Sequence, residues 1–199
     1  MSEKIDAANF MDLEALDPAE VTARTGCEFD PAARQYRIRI WGRVYGVDLK
    51  AREVRAEDPG LSPFHDYFDL FILYFLMRSK PLPPEGKWVS EKDLKGGAAF
   101  FRGPHTLPTD WISSRFENDM AAFGQACEKL GGLPLALGDA AFSFRITPTV
   151  PVAVVYWQGD EEFPPETKLL FDRTLDRHLP LDIVFALAVG VCHAVSARF

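Results

Sequence analysis

The stretch VAVVYWQGDEEFPPETKLLFD, residues 152–172, decides the fold because it joins an apolar strand to a compact acidic turn. Residues 152–157 are apolar without interruption, which is typical of a strand buried on both faces. Three acidic residues, 160–162, follow at its end. The two prolines at 164–165 then predict the start of a helix over residues 165–178. Like charges in a row repel one another, so we expect water, a cation or backbone amides to stabilise the turn.

Residues 36–49 alternate apolar and polar residues with a period of two, and residues 142–157 combine such an alternation at 142–147 with the apolar run at 152–157. Each pattern predicts a β-hairpin. Apolar residues at helical spacing predict helices over residues 64–78 and 111–130, and Asp182 is expected to cap a last helix. Consecutive hairpins with helices between them predict an α+β fold, an antiparallel sheet built from two β-hairpins with helices packed on one face.

The chain of 199 residues is 47% hydrophobic and 13% aromatic, which is enough to bury one substantial core. We therefore expect a single globular domain over residues 1–199. Residues 18–85 and 133–199 share the order hairpin, proline-bearing turn and apolar helix, which suggests two similar halves and an internal duplication. A chance recurrence of this common arrangement explains the order equally well.

Charge and cysteine content exclude several classes of protein. Lysine and arginine number 22 against 29 acidic residues, and a net charge of −7 opposes binding to a phosphate backbone, so no nucleic-acid partner is expected. Cys27, Cys127 and Cys192 are far apart and form no CxxC motif, which argues against a disulfide framework or a zinc knuckle.

The sequence also predicts a cytoplasmic protein without a membrane partner. Its first residues are acidic where a signal peptide needs basic ones. The most apolar segments, residues 67–77 and 183–192, fall short of the ~20 residues that span a bilayer as a helix.

The acidic turn is the first candidate site. Asp160, Glu161 and Glu162 are expected to approach Asp172 and His178 if the proline turn folds back, and clustered carboxylates are what hard cations bind. The turn has no calcium-loop spacing, and we assign no metal site. The alternative is a solvated turn that caps the following helix, with Asp160 or Glu162 bonded to backbone amides.

The N-terminal hairpin is the second candidate, because residues 34–55 carry seven cationic side chains against two acidic ones. Arg37 and Arg39 recur on one strand face, where an anionic ligand or an acidic partner could dock. The alternative is a solvated face whose charges prevent aggregation. A third candidate is His65, one helical turn before Asp69, which could share a ligand or a proton with it or simply open the helix.

Three stretches together resemble a known family. They are VTARTGCEFDPAARQYRIRIWGRVYGV (21–47), GKWVSEKDLKGGAAFF (86–101) and WQGDEEFPPETKLLFD (157–172). They are similar to the N-terminal hairpin, the central segment and the C-terminal signature of domain-of-unknown-function family 3786 of anaerobic bacteria and archaea. The family has no assigned activity. Some relatives carry an iron–sulfur module of the type found in corrinoid proteins, which is missing here, and the resemblance implies a role in anaerobic one-carbon metabolism.

Three functions follow as hypotheses. The first is a binding or accessory domain for an anionic small molecule or a tetrapyrrole or corrinoid cofactor. The second is a divalent-cation-dependent enzyme that uses the acidic turn. The third is a structural protein–protein interaction domain, with a homodimer as one form. The sequence identifies neither a catalytic residue nor a particular cofactor. The candidate ligand-binding residues are Asp160, Glu161, Glu162, Asp172, Arg37, Arg39, His65 and Trp157.

Overall fold

A computed structural model describes residues 5–57 and 65–197. Within these residues the chain forms eight α-helices and two antiparallel sheets, one of four strands and one of five. The α+β class that the sequence predicts is confirmed. The two hairpins are confirmed as well, but they belong to different sheets.

The first part of the chain forms two short helices and the four-stranded sheet. Asp17 caps α2 by accepting a hydrogen bond from the backbone N–H of Ala19 at 2.9 Å, and Gly26 ends it with a φ of 71°. Glycine adopts this left-handed conformation without strain. The elements are α1 (Ala7–Glu14), α2 (Pro18–Thr25), β1 (Glu28–Asp30), β2 (Gln35–Ile40), β3 (Arg43–Asp48) and β4 (Glu53–Ala56), and the strand order is β1-β2-β3-β4.

The remaining elements build the five-stranded sheet and most of the helical core. Its strand order is β5-β9-β8-β7-β6. The helices are α3 (Asp66–Arg78), α4 (Gly97–Phe100), α5 (Asp110–Phe116), α6 (Met120–Lys129), α7 (Leu175–His178) and α8 (Leu181–Ser196). The strands are β5 (Trp88–Val89), β6 (Leu133–Leu135), β7 (Ala140–Thr147), β8 (Val150–Trp157) and β9 (Glu166–Asp172).

The helix predicted over residues 165–178 is wrong in its first part, because residues Glu166–Asp172 form strand β9. This strand pairs antiparallel with β8, and Trp157 lies opposite Glu166. Its side chains alternate, with Thr167 and Leu169 buried while Lys168 is exposed. The two prolines therefore end a turn rather than begin a helix, and α7 is a single turn after the strand.

The helix predicted over residues 111–130 is two helices, α5 and α6. The helical conformation is interrupted at Glu117, which has a φ of 49°. Asp119 then caps α6, because its side chain accepts a hydrogen bond from the backbone N–H of Ala122. Ile112 and Phe116 on α5 and Phe123 on α6 are all buried, so the apolar stripe persists across the break.

Helices α3 and α8 pack against each other. They approach closely at Gly190, where a Cβ would overlap the ring of Phe68. Trp41 at the tip of the β2–β3 hairpin reaches the other sheet, because its backbone N–H donates to the carbonyl of Ile146 at 2.7 Å. Its ring contacts Phe144 and Phe68 at 5.2 and 6.3 Å between centroids. Buried apolar side chains of both sheets thus belong to one hydrophobic cluster.

Candidate functional site

The acidic turn connects β8 to β9 and is closed by its own backbone. Asp160 accepts hydrogen bonds from the N–H groups of Glu162 and Phe163, each at 2.8 Å. These bonds hold the pKa of Asp160 below its usual value. Glu161 and Glu162 are exposed. Asp160 is bonded to backbone amides as expected, but the amides belong to the turn and not to a helix.

A side chain from the α5–α6 break holds this turn in place. Asn118 donates through Nδ2 to the carbonyl of Gly159 at 3.2 Å and accepts the N–H of Gly159 through Oδ1 at 2.8 Å. The pair of bonds fixes the exit of β8 beside α5.

Asp172 does not approach the acidic turn, because the two lie at opposite ends of β9, about 20 Å apart at the rise of a strand. Asp172 is 2% exposed. It accepts the N–H groups of Glu85 at 3.1 Å, Gly86 at 2.7 Å and Thr174 at 3.0 Å, and the Thr174 hydroxyl at 2.7 Å. Burial alone would raise the pKa of Asp172, but the bonds outweigh it and the pKa is lowered.

His178 anchors the connector between α3 and β5, residues 79–87, to which Asp172 is also bonded. It is 3% exposed, and its Nδ1 accepts the N–H of Lys80 at 3.2 Å. Burial lowers the pKa of His178, and the nearby charge of Lys80 lowers it further, against the opposing effect of Asp172. A neutral, buried imidazole at this position acts as a backbone acceptor.

The arginines of the hairpin are exposed and have partners within the chain. Arg37 binds the carboxylate of Glu57 through Nε and Nη2, at 2.9 and 2.7 Å to Oε2, and this pairing raises its pKa. Arg39 donates to the carbonyl of Gly42 at 3.0 Å. Both side chains lie far in sequence from the acidic turn and belong to the other sheet.

His65 caps α3, because its Nδ1 accepts the N–H of Tyr67 at 3.3 Å. Its ring lies 5.7 Å from that of His193 and 6.3 Å from that of Trp111. Asp69, one turn further along α3, is half-buried, and burial together with the charge of Asp66 raises its pKa to about 7.

A groove of about 510 Å³ lies between β9 and the irregular segment from residue 91 to residue 109. Its volume is in the range of small-ligand sites. Phe101, Leu107 and Leu169 supply its buried apolar side chains, at 3%, 8% and 1% exposure. The residues around it are Glu91, Lys92, Ala98, Phe101, Arg102, Gly103, Thr106, Leu107, Thr109, Glu166, Thr167, Lys168 and Leu169.

The polar side chains of the groove favour an anion. Lys92, Arg102 and Lys168 outnumber Glu91 and Glu166. Thr167 is 3% exposed, and its hydroxyl has no hydrogen-bond partner among the described residues. A buried hydroxyl without a partner is costly, and a bound acceptor would remove that cost.

Trp157 does not line the groove, but it lies beside Lys168, which does. The Nζ of Lys168 lies 5.2 Å from the centre of the Trp157 ring, and 3.0 Å from Oε1 of Glu166. The side chains of Lys168 and Glu166 are more than half exposed, so the ion pair is weak and Lys168 can turn towards a ligand.

A second cavity, of about 560 Å³, is lined by α1, β4 and α3. Its charged lining residues are Arg52, Glu53, Arg55, Asp66 and Asp69. Its size exceeds that of the groove, but its acidic residues outnumber its arginines by three to two, and none of its lining side chains is a buried polar group without a partner within the described chain. The groove is therefore the better candidate.

The groove residues are not among the candidates that the sequence pattern indicates. The segment around it is irregular, so its side chains have no periodicity that assigns them to one surface. The signal that was present is the density of glycine and lysine in EKDLKGGAAFFRG, residues 91–103. Lys168 comes to the same groove as Lys92 and Arg102 only because residues 166–172 form the strand β9.

Three further observations concern the described residues. No group of three or more His, Cys, Asp or Glu side chains within 5–57 and 65–197 is placed to hold a metal ion. No described helix has the length and apolarity needed to cross a bilayer. Cys27, Cys127 and Cys192 are buried, and burial raises the pKa of each thiol, to about 12 for Cys127, which disfavours the thiolate.

Comparison with known proteins places the chain in a family. The model of a domain of unknown function, DUF3786, matches residues 17–194, and the protein belongs to that family. Comparisons with curated proteins and with solved structures found no match.

Proposed function

We propose that this protein is a binding domain that holds an anionic ligand in the groove between β9 and residues 91–109. The observation that carries the proposal is the position of Thr167, a buried hydroxyl without a partner among the described residues, in a groove that three cationic side chains line. Carboxylate and phosphate oxygens satisfy a hydroxyl donor and the cations together. The excess of cations in the groove contrasts with the net charge of −7 of the chain.

Apolar side chains add to this preference. Phe101, Leu107 and Leu169 exclude water from part of the groove, and an ion pair is stronger where the surroundings are less polar. The groove can thus hold an apolar group of a ligand beside its negative end.

The acidic turn supports a structural role instead. Asp160 is occupied by two backbone N–H groups, so it has fewer free oxygens for a cation. The cation-dependent enzyme, the tetrapyrrole or corrinoid cofactor and the homodimer remain predictions, and the binding panel below includes probes for the first two.

Titration calorimetry at low ionic strength tests the proposal. The probes are citrate, pyrophosphate, cyanocobalamin and magnesium chloride. We expect citrate or pyrophosphate to bind, and the double variant Lys92→Gln/Arg102→Gln to lose about tenfold or more in affinity, or ~1.4 kcal/mol. Added salt should weaken binding because ions screen exposed charges.

Lys129→Gln is the matched control, since Lys129 lies on α6 and does not line the groove. It removes one positive charge from the chain, where the double variant removes two, and it leaves the groove unchanged. Equal affinity of the parent, the control and the double variant would refute an anion site in the groove.

A further inference from the structure

The edge of β9 is only partly covered by its neighbour β5. The pairing of these two strands comprises Trp88 with Asp172 and Val89 with Phe171. The rest of β9, from Glu166 to Leu170, pairs with β8 on its other side. A strand with one unpaired side presents free N–H and C=O groups there.

Alternation along the strand identifies which backbone groups face the uncovered side. The N–H of Arg173 donates to the carbonyl of Lys87 at 2.9 Å, so the backbone of Arg173 points towards β5. Groups of alternate residues point the same way along a strand. The backbone N–H and C=O groups of Phe171, Leu169 and Thr167 therefore also point towards the β5 side. Val89 of β5 pairs with Phe171.

Thr167 and Leu169 are left with N–H and C=O groups directed at the groove that both residues line. Within the described chain, no further backbone or side-chain hydrogen bond reaches these groups. Both residues are nearly buried, at 3% and 1% exposure. Buried backbone groups are almost always paired in folded proteins, so this edge calls for a ligand that can pair with it.

We propose that the anionic ligand is an extended acidic peptide, which adds to the sheet as a strand beside Thr167 and Leu169. This inference rests on the proposed function and names the ligand class for the same groove. A peptide strand supplies N–H and C=O groups at the spacing that two alternate residues of β9 require. Small carboxylates can neutralise the cations, but they cannot satisfy both the donors and the acceptors of the edge.

Charge complementarity decides the kind of peptide. An added strand runs between β9 and the segment that carries Lys92 and Arg102, with Lys168 on β9 itself. Glutamate or aspartate side chains on the added strand would meet these cations, whereas lysine side chains would be repelled. The apolar residues beneath, Phe101 and Leu107, favour valine or isoleucine at the intervening positions.

The test uses a capped peptide of roughly six alternating valine and glutamate residues, a length suited to strand addition. One comparison peptide has the same sequence with alternate backbone nitrogens methylated, which removes strand pairing and keeps the charge. Another replaces each glutamate by lysine. We expect the first peptide to bind about tenfold or more tightly than either comparison peptide, and Arg102→Gln to weaken it while Lys129→Gln does not.

Amide hydrogen exchange gives a readout at the edge itself. Binding should slow exchange at the N–H groups of Thr167 and Leu169 and leave that of Lys168, which faces β8, unchanged. Equal binding of the methylated peptide, or unchanged exchange at Thr167 and Leu169, would overturn strand addition. If citrate binds and no peptide does, this inference fails and the anion site stands. If neither binds, both fail.

Discussion

The carboxyl group of Asp172 shows what a buried charge needs in this protein. Four hydrogen-bond donors surround it, three of them backbone or side-chain groups on its Oδ1. Asparagine keeps the shape of the side chain, but its NH2 group would face the N–H of Gly86, and two donors cannot form a hydrogen bond. We expect Asp172→Asn to lower the free energy of unfolding by about 2–3 kcal/mol near neutral pH. Urea denaturation measures this loss, and Asp176→Asn, which affects one bond to the N–H of Lys95, is the milder control.

The same variant should change the pH dependence of stability. The native pKa of Asp172 is lowered, so the unfolded chain takes up the proton first. The stabilisation is present above the unfolded value of about 3.9 and is lost as the pH falls through the native value. The difference between parent and Asp172→Asn should therefore shrink in acid, and a constant difference would contradict a charged native carboxylate.

Asp69 should give stability the opposite dependence on pH. Burial raises the pKa of Asp69 to about 7 in the native state. At pH values between the pKa of this carboxyl in the unfolded chain and its native pKa, the native state keeps a proton that the unfolded state has lost. The stability of the parent should then fall as the pH rises from about 4 to about 7. We expect Asp69→Asn to be ~1–2 kcal/mol more stable than the parent above that range and nearly equal to it below. Asp12→Asn, an exposed site on α1, should show no such trend in urea melts.

At the scale of elements, one buried ring packs α6 against the five-stranded sheet. Phe123 is fully buried and contacts Tyr156 and Phe142 at 4.8 and 5.8 Å between centroids. Replacing Phe123 by alanine should cost on the order of 3–5 kcal/mol, because it leaves a cavity. Met120→Ala, at a partly buried position on the same helix, should cost clearly less in denaturant melts. A loss below about 1 kcal/mol for Phe123 would contradict its role in the core.

The two hairpins could be predicted because their patterns are local, and helix α3 because its segment is apolar on most sides and is followed by a proline-rich stretch. Strand β9 could not, because Pro164 and Pro165 suggest a helix start as readily as a strand start, and its pairing with β8 is a tertiary contact. The break between α5 and α6 follows from Asn118 binding Gly159, some forty residues away, at 2.8 Å. Helical spacing in the sequence carries no information about such a partner.

The candidate site shows the same limit. Asp160 could be predicted as a backbone cap from its place beside a tight turn, and it is one. The groove could not, because it depends on the shortness of β5 and on the direction of alternate backbone groups in β9. Its cationic side chains lie on segments that are distant in sequence and become neighbours only through folding.

At the scale of the whole molecule, Trp41 connects the two sheets. Its N–H binds the carbonyl of Ile146 at 2.7 Å and its indole Nε1 donates to the carbonyl of Leu130 at 3.0 Å. The tryptophan is 8% exposed and lies in the hydrophobic cluster that both sheets share. A cluster shared in this way favours unfolding in one step.

We therefore expect tryptophan fluorescence and far-ultraviolet circular dichroism to report coincident urea transitions for the parent. Trp41→Ala should destabilise the chain by about 3–5 kcal/mol, because it leaves a cavity between the sheets and removes the indole donor to the carbonyl of Leu130, while the backbone bond to Ile146 is kept. Trp111→Ala, at a position 40% exposed, is the matched control and should cost far less. Two separated transitions in the parent would contradict a shared core, since each sheet would then be stable without contacts to the other.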